Sequence, residues 1–200
     1  METVYIFTDG GAIPNDSRNT KDEAKAGYAV YIANGQDKGT IYYGSLEKKD
    51  FYPTNIRAEG FAILNVLEYI SKSTDSNFTI VTDSQFWIDM LSKWMPKWSE
   101  TKFLKQQNSD LTLKLAKLWK SIKVTKNVGI QHMYSHDKSK WSKRDKKSFE
   151  YICYVNNDVV DNLAGLALEL KKGTNYTGHV KITDNVEKNQ QRLKNIVLAL

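Results

Sequence analysis

Four isolated acids, Asp9, Glu59, Asp83 and Asp161, fall where alternating strands and helices can bring carboxylates together. Asp9 follows Val4 to Thr8, in which Val4, Ile6 and Thr8 alternate with Tyr5 and Phe7. Both sets are β-branched or aromatic, the pattern of a strand buried on both faces. Gly10 and Gly11 come next and leave no side chain to obstruct whatever approaches the carboxylate. Asp83 closes a second short apolar run, Phe78 to Thr82. Glu59 stands beside the inward-facing Ala58 of a helical pattern, and Asp161 stands beside the inward-facing Val160 of another. Carboxylates held close together cannot all stay ionised unless a cation offsets them. An all-oxygen donor set suits Mg²⁺ or Mn²⁺ rather than zinc. Two such ions roughly 3.5–4 Å apart are the usual arrangement for in-line cleavage of a phosphodiester. Plainer readings stand beside this one. Asp-Gly-Gly is also a hairpin-turn sequence, glutamates on helices are usually solvated, and Asp158 and Asp161 both suit a helix N-terminus.

The elements that must position these acids follow from periodicity. Ala26–Ala33 and Thr40–Leu46 read as a second and third strand, with Asn34-Gly35 and Lys38-Gly39 marking the turn between them. Thr54 or Asn55 caps a helix to about Lys72, on which Ala58, Phe61, Ala62, Val66 and Tyr69 recur at helical spacing. Ser84 is placed to cap the next helix, from Gln85 to about Lys93. A further amphipathic helix spans about Ser109 to Ile122, and Val128–Tyr134 reads as a fifth strand, followed by Ser135-His136-Asp137. Lys138 to Lys147 reads as a basic loop around Trp141, and a last helix begins near Asn157 or Asp158 and carries Val160, Leu163, Ala164 and Ala167. Beyond Lys171 the pattern weakens, with a terminal helix from Val186 as one reading. Three meandering strands followed by βα units imply a mixed α/β sheet with helices on both faces.

Composition sets the bounds. Two hundred residues, 40% of them hydrophobic and 12% aromatic, suit one domain with a real core. The lone Cys153 cannot form an intrachain disulfide, and no Cys/His spacing suggests zinc. No apolar run approaches the ~20 residues needed to span a membrane, and the N-terminus lacks a signal-peptide core. The expectation is a cytoplasmic monomer with no membrane association. A formal net charge of +6 allows a polyanionic partner.

Order and spacing together resemble a type 1 ribonuclease H. The matching pieces are Thr8-Asp9-Gly10-Gly11, Ala26-Gly27-Tyr28-Ala29-Val30, Thr54-Asn55-Ile56-Arg57-Ala58-Glu59, Thr82-Asp83-Ser84-Gln85, and Asn157-Asp158-Val159-Val160-Asp161-Asn162-Leu163-Ala164. They extend over about residues 3–170, and their acidic spacing is specific as a set and weak piece by piece. The resemblance implies a five-stranded ribonuclease H-like fold, with a catalytic domain over residues 1–171 and a C-terminal extension over 172–200. It implies an endonuclease that hydrolyses the RNA strand of RNA/DNA hybrids and leaves 5′-phosphate and 3′-hydroxyl ends. The family pattern Asn-x-x-x-Asp-x-Leu-Ala assigns the fourth metal ligand to Asp161 and leaves Asp158 a bystander. Asp9 would bridge two Mg²⁺ ions, for which Mn²⁺ can substitute. Asp161 would help hold the ion beside the attacking water, and Glu59 and Asp83 the ion beside the leaving 3′ oxygen.

His136 matches the family's mobile loop histidine, which assists proton transfer or product release. Asn55 and Gln85 resemble its minor-groove contacts, where RNA 2′-hydroxyls are read, and Gly11 belongs to the same surface. Trp94, Trp98 and Lys97 resemble its basic protrusion, although the tryptophans also suit core packing. There are departures. Ile56 replaces the usual Asn or Gln, the protrusion is shorter than in long-handled members, and the segment from Asp137 to Tyr154 is longer than usual. The alternatives are a non-catalytic hybrid-binding module, which the complete set of acids argues against, and a DNA-cleaving nuclease of the same fold.

Overall fold

The structure, a computed structural model, describes residues 2–13, 24–47, 52–133 and 138–199. Strands β1 (Val4–Ile13), β2 (Lys25–Ile32) and β3 (Thr40–Ser45) lead into helix α1 (Asn55–Lys72) and strand β4 (Asn77–Thr82). Helix α2 (Gln85–Asp89) runs on through a π-helical turn, Met90–Trp94, and a 3₁₀ turn, Met95–Lys97. Then come α3 (Glu100–Leu104), α4 (Ser109–Thr125), β5 (Asn127–His132), α5 (Lys138–Trp141), α6 (Phe149–Ala167), β6 (Asn175–His179) and α7 (Val186–Leu198). The strands form one mixed sheet in the order β5-β4-β1-β2-β3-β6, with β1–β4 and β4–β5 parallel and the other pairs antiparallel.

The expected α/β architecture holds with one strand more than expected. The addition, β6, pairs with the edge of β3 from Thr40↔His179 to Gly44↔Asn175. Its sequence, Asn-Tyr-Thr-Gly-His, carries no apolar alternation because no residue of this edge strand is buried. Helix α6 also begins earlier than expected, at Phe149, with the Ser148 hydroxyl accepting from the Tyr151 N–H at 3.2 Å. Its first turns turn Phe149 and Ile152 to solvent, which blurs the helical period. The segment expected as one long loop therefore contains α5 and the start of α6.

Strand β1 is buried on both faces because helices cover both. Val4 and Ile6 pack with Ala62, Ile63, Val66, Leu67 and Ile70 of α1. Phe7 packs with Val159, Val160 and Leu163 of α6 and with Leu193 and Val197 of α7. The residues after Lys171 are thus part of the packed structure.

Candidate active site

Asp-Gly-Gly is not a turn. Asp9, Gly10 and Gly11 pair in register with Ala29, Tyr28 and Gly27 of β2, and neither glycine has a positive φ. Strand β1 outruns its other neighbour instead, since pairing with β4 stops at Phe7↔Val81. Asp9 lies just beyond that point, at the C-terminal end of the parallel pair, where α/β sheets place ligands. Gly10 serves another purpose than turning. A Cβ there would sit 2.3 Å from the Glu59 nitrogen and 2.5 Å from the Ala58 carbonyl carbon. Glycine lets the start of α1 lie directly on β1, bringing Glu59 to Asp9. The Thr54 hydroxyl caps α1 by accepting from the Arg57 N–H at 3.2 Å, and Asn55 Oδ1 accepts from the Ala12 N–H at 2.5 Å. Both bonds fix where the helix begins.

Asp83 follows β4 directly. Ser84 occupies the cap position of α2, but its hydroxyl makes no cap bond and instead donates to Glu59 Oε2 at 2.5 Å. Trp87, fully buried, donates from Nε1 to the Ile56 carbonyl at 2.8 Å and fills the space beside Gly60. These contacts lock the Asp83 segment to the Glu59 helix. From the opposite layer, α6 presents Asp161 and, one turn earlier, Asn157. Close packing of α6 on β2 depends on Gly27, where a Cβ would meet the Ala164 carbonyl oxygen at 2.5 Å.

Asp9, Glu59, Asp83 and Asp161 thus line one open cleft of about 420 Å³ together with Gly10, Gly11 and Asn55. Asp158 does not line it; Gln190 of α7 donates to its two carboxylate oxygens at 3.4 and 3.2 Å. The electrostatics are those of clustered negative charge. Burial, then Asp83 and Asp161, push the Asp9 carboxyl well above its ordinary value; Gly10, donating its N–H at 2.7 Å, opposes them, and Glu59 adds to the rise. Burial raises Glu59 to about 7, against the Ser84 hydrogen bond and with Asp83 adding to the rise. Four carboxylates whose ionised forms repel one another are a donor set that fits hard divalent cations. They share the cleft, although no three His, Cys, Asp or Glu side chains among the described residues contract into a ready-made ligand cluster.

Other expected site residues lie nearby or elsewhere. Gly11 lines the cleft, with no described residue within 4 Å of where a Cβ would stand. Gln85 is on α2 outside the lining, its amide donating to Asp89 at 2.9 Å. Trp94 and Trp98 stack at 6.4 Å with planes 7° apart, Trp94 exposed and Trp98 half-buried against Phe103. Lys97 is exposed beside them, and His136 lies outside the described residues. One cleft residue, Asn157, stood in the sequence as part of a motif and as one start for the last helix, not as a site residue. It is 2% exposed, and its Nδ2 has no hydrogen-bond partner among the described residues. Its signal was the four-residue spacing to Asp161, which puts both on one helix face.

Fold and cleft define an α/β protein that gathers acids from both layers at the end of its central parallel strands. The RNase H family model matches residues 1–169, and the chain belongs to that family. It is similar to the Ribonuclease H of Ruthia magnifica, 29% identical over 169 residues, which cover 84% of this chain and 97% of that one. It is also 30% identical over 133 residues to the Ribonuclease H of Schizosaccharomyces pombe, covering 66% of this chain but only 46% of that longer protein. Among solved structures, the fold resembles LC9-RNase H1, described as a type 1 RNase H with the type 2 active-site motif. The TM-score there is 0.58 at 16% identity, over 89% of this chain and 79% of the other. Among the described residues, no helix is long and apolar enough to cross a membrane.

Proposed function

We propose that this chain is an endonuclease that hydrolyses the RNA strand of RNA/DNA hybrids, leaving 5′-phosphate and 3′-hydroxyl ends. The observation that carries this reading is the convergence of Asp9, Glu59, Asp83 and Asp161, from four elements, on one open cleft. These four would hold two Mg²⁺ ions, with Mn²⁺ as a substitute. Bound there, the ions would supply charge neutralisation, an activated water and stabilisation of the leaving oxygen. The chain's own residues do the rest. The Ser84 hydroxyl holds one oxygen of Glu59 and so fixes its rotamer. The Gly10 N–H does the same for Asp9. Gly11 leaves the cleft floor open for the RNA backbone, and Asn55, anchored through Oδ1 to the Ala12 N–H, is held at the cleft as a minor-groove reader.

Gln85 extends that reading surface, Trp94, Trp98 and Lys97 contact the DNA strand, and His136 assists proton transfer or product release. Residues 1–171 form the catalytic unit, residues 172–200 support its α6 side, and the enzyme acts in the cytoplasm as a monomer. The test is incubation with end-labelled hybrid, double-stranded RNA and double-stranded DNA, with Mg²⁺ or with EDTA. The expected result is cutting of the RNA strand of the hybrid alone, lost in EDTA. Equal cutting of double-stranded DNA, or activity that survives EDTA, would overturn the reading. Asp9→Asn should abolish cleavage while hybrid binding, measured in EDTA, is kept or tightened, because one repelling charge is gone.

A further inference from the structure

A second groove, of about 610 Å³, lies between α4 and residues 95–103 and shares no lining residue with the acidic cleft. Met95, Trp98 and Phe103 form one wall, and Leu113, Ala116 and Trp119 of α4 form the other. Such a volume and apolar lining are in the range of built binding sites. The charged groups that line it are Lys117, Lys120 and Lys123, with no acid among them. Helix α4 carries lysine at 114, 117, 120 and 123, against one acid, Asp110, which Arg57 already engages at 2.7 Å. Lys123 is tethered, donating to the Val128 carbonyl at 3.0 Å and lying 5.5 Å from the Trp119 ring. Lys117 and Lys120 are exposed and have no ion-pair partner among the described residues.

The occupant must therefore bring both negative charge and apolar bulk. A nucleic-acid strand supplies the charge, but its aliphatic groups, sugar methylenes and the thymine methyl, are small for a groove of about 610 Å³ lined by Met95, Leu113 and Phe103. Nor does Trp98 offer a platform on which bases could stack, as distinct from the packing on the DNA strand proposed above. Trp94 lies parallel to it, Lys102 sits 5.2 Å from its ring, and Phe103 meets it near-perpendicularly. We propose that the groove docks an acidic segment of a partner protein, seating one or two large apolar side chains between Trp98 and Trp119 while its carboxylates meet Lys117 and Lys120. Like other charged interfaces, it takes steering from the lysines and affinity from the apolar anchors.

The proposal is independent of the cleavage reading, since binding is measured without hybrid or metal. The probe is a fluorescein-labelled octapeptide of five aspartates, two leucines and one phenylalanine, titrated by anisotropy against the full chain. Saturable binding with a Kd below about 1 mM is expected. Lys117→Glu/Lys120→Glu should weaken it at least about tenfold while hybrid cleavage stays unchanged. Replacing the leucines and phenylalanine by serine should abolish it. No saturable binding, binding indifferent to the charge reversal, or equal binding of the serine peptide would each overturn the proposal. So would a double variant that loses hybrid affinity and salt dependence, because the lysines would then belong to the nucleic-acid footprint.

Discussion

Asp158 and Asp161 sit one turn apart on α6 yet face different neighbours. Asp161 lines the cleft with Asp9, whereas Asp158, 7% exposed, accepts from Gln190. Asp161→Asn should therefore cost at least about a hundredfold in kcat on a hybrid, as expected for a cation ligand. Asp158→Asn should stay within about fivefold of the parent, since an amide oxygen can still accept from Gln190. The reverse order would exchange the roles of the two acids. Titration gives a second check. Glu59 titrates near 7 in the folded chain, above its ordinary 4.5, so between those values the folded state holds a proton that the unfolded chain has released. Stability from this group is full below about 4.5 and is lost as pH rises through about 7. The raised carboxyl of Asp9 acts in the same direction. In EDTA, a fall of Tm by roughly 5 °C from pH 5.5 to 8 is expected, for a contribution on the order of 2 kcal/mol. Glu59→Gln should flatten it, and Mg²⁺ should raise Tm more at pH 8 than at 5.5. A slope in EDTA unchanged by Glu59→Gln would show that Glu59 is not the titrating group.

At the scale of elements, the contact between β1 and α1 decides whether Glu59 reaches Asp9. Gly10→Ala drives a methyl group into backbone at 2.3–2.5 Å, which no rotamer change relieves. Urea denaturation should show a loss on the order of 3 kcal/mol, with kcat reduced because α1 is displaced. Gly11→Ala meets no described residue and should be nearly neutral for stability. A Gly10→Ala protein as stable as the parent would mean that α1 does not press on β1 as described. Much of this was legible in the sequence. Val4–Thr8 and Phe78–Thr82 announce themselves by dense β-branched runs, and α1 by its apolar stripe. The mid-strand position of Asp9 was not legible, because a glycine kept for close approach reads like one kept for a turn. Strand β6 has no apolar period, and its pairing with β3 is non-local. The Ser84–Glu59 bond joins residues 25 apart, and a local capping rule misassigns it. Helix α7 became meaningful only through its partners, since Leu193 and Val197 complete the core against α6.

For the whole molecule, the proposed function requires the net charge of +6 to be distributed so that a polyanionic duplex can reach a cleft of four acids. The basic segment between β5 and α6 would be one source of that attraction under the proposed function, and its described cations are not equivalent. Lys146 pairs with Asp184 at 2.7 Å, and the Tyr151 hydroxyl donates to the Asp184 carbonyl at 3.2 Å. Lys146 thus ties the segment to the chain between β6 and α7, while Lys143, Arg144 and Lys147 stand exposed. Each cation that neutralises a hybrid phosphate releases counterions and steepens the dependence of log affinity on log salt by about 0.9. Changing Lys143, Arg144 and Lys147 together to Gln, with Lys146 kept, should flatten that slope by about two to three and raise KM at physiological salt. The kcat at saturating hybrid should change little, because the cleft carboxylates are untouched. Lys146→Gln alone should lower Tm slightly and leave the salt slope as it was, since a solvent-exposed ion pair is largely screened and contributes little. Hybrid affinity measured from 50 to 300 mM KCl separates the two. A triple variant with the parent's slope would reduce the segment to a solvated surface and move the search for phosphate contacts to Lys97, Lys102 and Lys105.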